Sequence, residues 1–171
     1  MKIRKLTYTA FFVAVGILLP QVFHMLGGTG AGQTFLPMHI PVILAGILLG
    51  PVSGLAVGIL CPVLSCFMTA MPPLAKLPFM ALELVGYGVT AGLLMKKCRV
   101  NPYLGLILAM LAGRLLNALA LFTAAKLFHL QVPAVASVWT AFLTGIPGIL
   151  IQMILIPVIV MACKRVVISG D

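Results

Sequence analysis

Hydrophobic residues occupy long, almost unbroken stretches of this chain, separated by short segments rich in glycine, proline or polar residues. A helix that crosses the ~30 Å hydrocarbon core of a bilayer needs about 20 apolar residues. The apolar stretch over residues 35–70 is too long for one crossing, and Gly50-Pro51 near its middle predicts a turn that divides it. The pattern therefore predicts six transmembrane helices, over residues 6–25, 35–49, 52–70, 77–95, 103–125 and 134–163.

The segments between these stretches have the residues typical of turns. The glycine-rich segment 27–34 predicts a loop after the first span, and Met71-Pro72-Pro73 predicts the end of the third. The last stretch is longer than one crossing needs, so we expect its first part in a loop or a tilted end and kinks at Pro147 and Pro157. Glycines recur at a spacing of four residues, which favours close helix packing: Gly46, Gly50, Gly54 and Gly58.

Composition places the whole chain in a bilayer. Hydrophobic residues make up 63% and charged residues 8% of the 171 positions, whereas about a quarter of a soluble domain is charged. Too few charged side chains are present to cover a water-facing surface, so lipid is the expected solvent. We predict one transmembrane domain over residues 1–171, with the first stretch retained as a span rather than removed as a signal peptide.

The basic residues predict how the helices are oriented. The formal net charge is +9, and most basic residues precede the first span, follow the last span or lie in the 96–101 gap. This placement follows the positive-inside rule and predicts that both termini and this gap are cytoplasmic. Segments 26–34, 71–76 and 126–133 are then outside. No basic face with interleaved aromatic residues is visible, which argues against nucleic-acid binding.

Polar residues within the predicted spans mark the candidate site. Only two residues are acidic, and Glu83 is the one that lies inside a span, where an ionisable group is by default a functional candidate. Arg114 lies near the middle of the fifth span, and Asn117 shares its face through a spacing of three residues. These residues predict a ligand pocket that opens outward, with further candidates at the outer ends of the spans and in the first outer loop: Trp139, Thr140, His39 and Gln33.

Each of these candidates also has a structural interpretation. Glu83 and Arg114 are suited to a buried ion pair that only joins two helices. Trp139 is suited to the aromatic belt at a membrane interface. His39 lies between two prolines, so it is suited to capping the backbone groups that prolines leave free. Gln33 belongs to a glycine-rich segment that would serve as a mobile lid.

Sequence signatures of enzymes and metal sites are absent. The spans hold one carboxylate, whereas a glycosidase needs two, and the sequence has no HExxH, GxSxG or P-loop motif. The four cysteines form no CxxC pair, so we expect free structural thiols. We therefore predict a protein that is not an enzyme and has no cofactor or metal. A self-sufficient secondary transporter or channel that uses Glu83 as its proton site remains the alternative.

Two sequence blocks and one helix face relate the chain to a known family. Ala10 and Ala14 form a flat stripe on the first span, which a partner helix can approach closely. The second and third spans read FLPMHIPVILAGILLGPVSGLAVGILCPVLSCFMTAMPPL (35–74), and the fourth reads MALELVGYGVTAGLL (80–94). In these features the chain resembles the substrate-binding S components of energy-coupling factor (ECF) vitamin transporters, in the riboflavin, pantothenate and folate branch.

The resemblance implies a function, partners and a location. Such a component binds a water-soluble vitamin, for example pantothenate, with high affinity at the outer side of the cell membrane. It delivers the vitamin inward when docked to a transmembrane coupling subunit that carries two ATPase subunits, and Ala10 and Ala14 would be its docking face. A vitamin carboxylate would meet Arg114 or one of the rim lysines, Lys76 and Lys126, whereas hydroxyl or amine groups would donate to Glu83.

Overall fold

The protein forms a bundle of helices. A computed structural model describes residues 3–98, 100–127 and 136–167, and these ranges contain no strand. Their helices are α1 (Ile3–Phe35), α2 (His39–Leu49), α3 (Pro51–Thr69), α4 (Leu77–Ala91), a π-helical extension of α4 (Gly92–Lys97), α5 (Pro102–Lys126), α6 (Ala136–Thr144) and α7 (Ile146–Val167). Most of the predicted outer connector over residues 126–133 lies outside the described residues, as do Arg99 and Asp171.

Six segments of the described chain are long and apolar enough to cross a membrane. They are Ile3–Gly28, Gly30–Leu49, Pro51–Thr69, Leu77–Lys96, Pro102–Lys126 and Ile146–Cys163. The prediction of an all-α membrane protein with six spanning helices is therefore confirmed.

The glycine-rich segment after the first span is helical, so the predicted loop over residues 27–34 is wrong. Helix α1 continues to Phe35, and only Gly27 and Gly28 leave helical geometry, with φ at +66° in Gly28. Glycine adopts this angle without steric cost, so it supplies the kink. The other glycines of this segment are helical. A glycine destabilises a helix by only about 1 kcal/mol relative to alanine, and tertiary packing offsets this cost. The ring of His24 occupies the space beside Gly32.

The last apolar stretch forms two helices rather than one long kinked span. The break falls at Gly145, whose N–H still donates to the carbonyl of Ala141 at 3.0 Å. Pro147 follows in the first turn of α7, where its missing N–H has no helical partner to lose. Pro157 lies inside α7. The start of the predicted span is thus the separate short helix α6.

Glycines bring the central helices into backbone contact. Gly50 ends α2 with φ at +102° and Pro51 begins α3, so the predicted turn is present. A side chain on Gly46 or Gly54 would collide with the backbone of Gly88 in α4. Helix α2 is buried from Pro41 to Leu49, as expected for a helix that is hydrophobic all round. Close packing at the spaced glycines therefore fixes α4 against α2 and α3.

Candidate functional site

A cavity of about 590 Å³ lies at one end of the bundle. Its walls come from α1, the turn before α2, the segment after α3, the first half of α4, the second half of α5, and α6. The volume falls in the range of about 300–1,000 Å³ that is typical of small-molecule sites. The predicted outer segments 26–34 and 71–76 both contribute residues, so they lie at the same end.

Glu83 is the centre of a polar cluster in this cavity. The residue is 5% exposed, and its Oε1 lies 2.9 Å from Nη1 of Arg114. The hydroxyl of Tyr87 donates to the same oxygen at 2.7 Å. The Nδ2 group of Asn117 donates to Oε2 at 2.6 Å. The structure therefore brings together the three polar residues that the sequence placed in the fourth and fifth spans.

Two glycines allow these helices to meet closely. A side chain on Gly86 of α4 would strike the backbone of Gly113 in α5. A side chain on Gly113 would strike the ring of Tyr87 and the carbonyl of Glu83. Because Gly113 precedes Arg114, this close approach brings the guanidinium within direct contact of the carboxylate. The sequence thus builds the polar cluster at the point of tightest packing between α4 and α5.

Four buried polar atoms have no hydrogen-bond partner among the described residues. They are Nη2 of Arg114, Oδ1 of Asn117, and both ring nitrogens of His39. His39 is 5% exposed, and its ring lies 5.0 Å from that of Tyr87 between centroids. The capping role of the His39 side chain stays a prediction. All three residues line the cavity.

The remaining candidates lie around this centre. Gln33 and Thr140 are exposed and line the cavity, and the hydroxyl of Thr140 donates to the carbonyl of Ser137 at 2.9 Å. Trp139 is 63% exposed and stacks on Phe142 at 5.6 Å between ring centroids. It lines a second, more apolar cavity of about 590 Å³ that shares walls with the first. Lys76 lines the first cavity, and Lys126 is exposed outside its lining.

The alanine stripe lies on the exterior of the bundle. Ala10 and Ala14 are exposed on α1, and Phe11 and Leu18 nearby are 60% and 64% exposed. Thr9 points the other way and donates to the hydroxyl of Ser53 in α3 at 3.0 Å. The described helices thus leave this face of α1 uncovered.

Sequence reasoning missed two polar residues that belong to the site. Tyr87 lies four positions after Glu83, a spacing that places both on one helix face and was a usable signal. Gln152 is 1% exposed, lines the second cavity, and donates to the carbonyl of Leu36 at 3.5 Å. It is the one amide side chain within the last predicted span, which was also a usable signal. Within the described ranges no group of three or more metal-binding side chains occurs.

Comparison with known families gives one match. A family model described as "ECF transporter, substrate-specific component" matches residues 4–160. No curated protein and no solved structure matches the chain.

Proposed function

The chain belongs to the substrate-specific components of ECF transporters, and on that premise we propose that it is the high-affinity membrane receptor for a water-soluble B-type vitamin, of which pantothenate is one example. As a family member, it is a multi-pass membrane protein that gives a transporter its substrate specificity. The observation that carries the proposal is the cavity, whose lining residues Arg114, Asn117 and His39 have polar atoms without a hydrogen-bond partner among the described residues.

The packing below the cavity supports a receptor rather than a channel. Val42, Ala45, Val57, Leu84 and Ala91 are fully buried between the cavity and the Gly50 end of the bundle. Interiors packed to this degree leave no room for a solute. A ligand bound in the cavity would therefore need a further step, and a further protein, to reach the other side.

The proposed orientation and partners follow from charge and from the exposed face of α1. The positive-inside rule favours cytoplasmic termini in the cell membrane, which would turn the cavity outward. The sequence has no P-loop motif, so the energy would come from two ATPase subunits on a transmembrane coupling subunit. Ala10 and Ala14, exposed on α1, would form the surface that this subunit contacts.

Mass spectrometry of small molecules that copurify with the full chain in lipid nanodiscs tests the proposal. We expect a B-type vitamin at a near-stoichiometric level. The variant Asn117→Leu, which alters the cavity wall, should retain much less of it. The control Leu119→Ala changes a side chain of the same helix that is 60% exposed and should retain the wild-type amount. The proposal fails if no vitamin copurifies and no added B-type vitamin raises the unfolding temperature.

A further inference from the structure

The carboxylate of Glu83 is occupied by the protein itself. Its Oε1 accepts a hydrogen bond from the hydroxyl of Tyr87 at 2.7 Å and lies 2.9 Å from Nη1 of Arg114. Its Oε2 accepts a hydrogen bond from Nδ2 of Asn117 at 2.6 Å. A carboxylate offers about four acceptor positions, so little capacity is left for a ligand. Glu83 instead fixes the positions of Arg114 and Asn117. It acts as a positioning residue for the two side chains that face the cavity.

The atoms that remain free define what the ligand must offer. Nη2 of Arg114 only donates and Oδ1 of Asn117 only accepts, and neither has a partner among the described residues. Buried polar atoms are costly to leave unpaired, so their positions indicate bonds that form when the site is filled. The ligand should therefore present an acceptor to Arg114 and a donor to Asn117. The imidazole of His39 offers a further contact on the same wall.

The charges of the cavity favour an anionic acceptor. Among the described residues that line it, Glu83 is the one carboxylate, whereas Arg114 and Lys76 are both cationic. Glu83 and Arg114 neutralise each other, which leaves the charge of Lys76. Lys76 directly precedes α4, seven residues and about 10 Å along the helix axis from Glu83. It is exposed, so it attracts an anion toward the cavity before the anion reaches Arg114.

We propose that the ligand is a small organic carboxylate that also carries a hydroxyl or amide N–H group. Its carboxylate accepts from Nη2 of Arg114, its hydroxyl or N–H donates to Oδ1 of Asn117, and Lys76 steers its approach. This inference rests on the proposed function, because it names the class of vitamin that the receptor binds. The inference predicts that the protein binds an acidic B-type vitamin rather than a neutral or cationic one.

Acids paired with their neutral derivatives test the charge requirement directly. Binding to the full chain in nanodiscs is measured for pantothenate and pantothenol and for biotin and biotin amide, with riboflavin and thiamine as neutral and cationic probes. We expect one acid to bind, and its neutral counterpart to bind about 10- to 100-fold more weakly, because a hydrogen bond to a charged group is lost.

Two variants locate the charge effect. The double variant Glu83→Gln/Arg114→Gln removes both charges together, so it leaves no unpaired buried charge, and it should lose the preference for the acid. Lys76→Met should slow association of the acid about 3- to 10-fold at low salt, and added salt should remove the difference. Arg4→Met removes an exposed cation at the start of α1, outside the cavity lining, and is the matched control, with the wild-type rate expected.

The outcomes distinguish this inference from the proposed function. Tight binding of riboflavin, thiamine or a neutral amide without binding of an acid overturns the inference and leaves a vitamin receptor. An unchanged acid preference in a folded double variant overturns it as well. If the double variant does not unfold cooperatively, the association rates of Lys76→Met and Arg4→Met decide, and equal rates contradict the inference. Binding of no vitamin in either charge state overturns the proposed function together with the inference.

Discussion

Nη1 of Arg114 lies 2.9 Å from Oε1 of Glu83 and joins α5 to α4 inside the bundle. The two side chains are 13% and 7% exposed, so neither charge is fully hydrated. Loss of one partner from such a pair leaves an uncompensated buried charge. The pair therefore stabilises the site only while both residues are present.

The first prediction concerns that pair. Arg114→Gln or Glu83→Gln alone should destabilise the protein by about 3–5 kcal/mol, because each leaves a lone buried charge. The double variant Glu83→Gln/Arg114→Gln should cost less than the sum of the two single changes. Unfolding of the protein in a bilayer mimetic provides the free energies for a double-mutant cycle. Additive effects would contradict a direct ion pair.

The second prediction isolates the hydroxyl of Tyr87. Tyr87→Phe removes one donor to Glu83 and nothing else, so we expect a loss of about 1 kcal/mol in the free energy of unfolding. Tyr103→Phe changes a side chain that is 52% exposed and should have no measurable effect. Equal effects in the two variants would show that the hydrogen bond to Glu83 has no energetic weight.

The third prediction tests the glycine contacts between α4 and its neighbours. Gly88→Ala places a methyl group against the backbone of Gly54, so we expect a loss of about 1–3 kcal/mol. Gly30→Ala adds the same methyl group where no atom lies within 4 Å. It should be neutral or slightly stabilising, because alanine favours helix over glycine by about 1 kcal/mol. The melting temperatures of the two variants provide the comparison.

The fourth prediction concerns docking through α1. Ala10→Leu and Ala14→Leu should leave vitamin binding unchanged, because both residues are exposed on α1 and neither lines a cavity described above. Both should abolish uptake by the assembled transporter, because a bulky side chain separates the helices that must meet. Ala162→Leu, at an exposed position of α7, is the matched control and should transport normally. Normal uptake by the Ala10 and Ala14 variants would exclude this face as the docking surface.

Depth and spacing in the sequence were sufficient to predict the centre of the site. Glu83 was the one carboxylate within a span, and three-residue spacing placed Asn117 on the face of Arg114. The structure brings all three into one polar cluster. The role of each atom was not predictable in the same way. The side chain of Glu83 faces α5 and accepts a hydrogen bond from Tyr87. This orientation depends on the rotation of α4 about its axis, which packing at Gly86 and Gly113 determines.

Residues typical of turns predicted the structure less well than the lengths of the hydrophobic stretches did. The glycines in segment 27–34 indicated a loop, yet packing keeps most of the segment helical and confines the kink to Gly27 and Gly28. The ring of His39 packs against that of Tyr87, a contact that depends on tertiary packing and that the flanking prolines did not indicate. Hydropathy predicted six spans correctly, because burial of backbone polar groups in lipid leaves the chain few alternatives to helices.

Uptake into vesicles tests most directly whether this chain is a receptor that depends on a partner. The full chain is reconstituted alone, or together with a coupling subunit and its two ATPases, and a radiolabelled vitamin that the chain binds is added outside. We expect vesicles with the chain alone to bind the vitamin without accumulating it, even under an imposed proton gradient. Vesicles with the complete assembly and internal ATP should accumulate it. Accumulation by the chain alone, driven by the proton gradient, would contradict the account and favour a self-sufficient transporter.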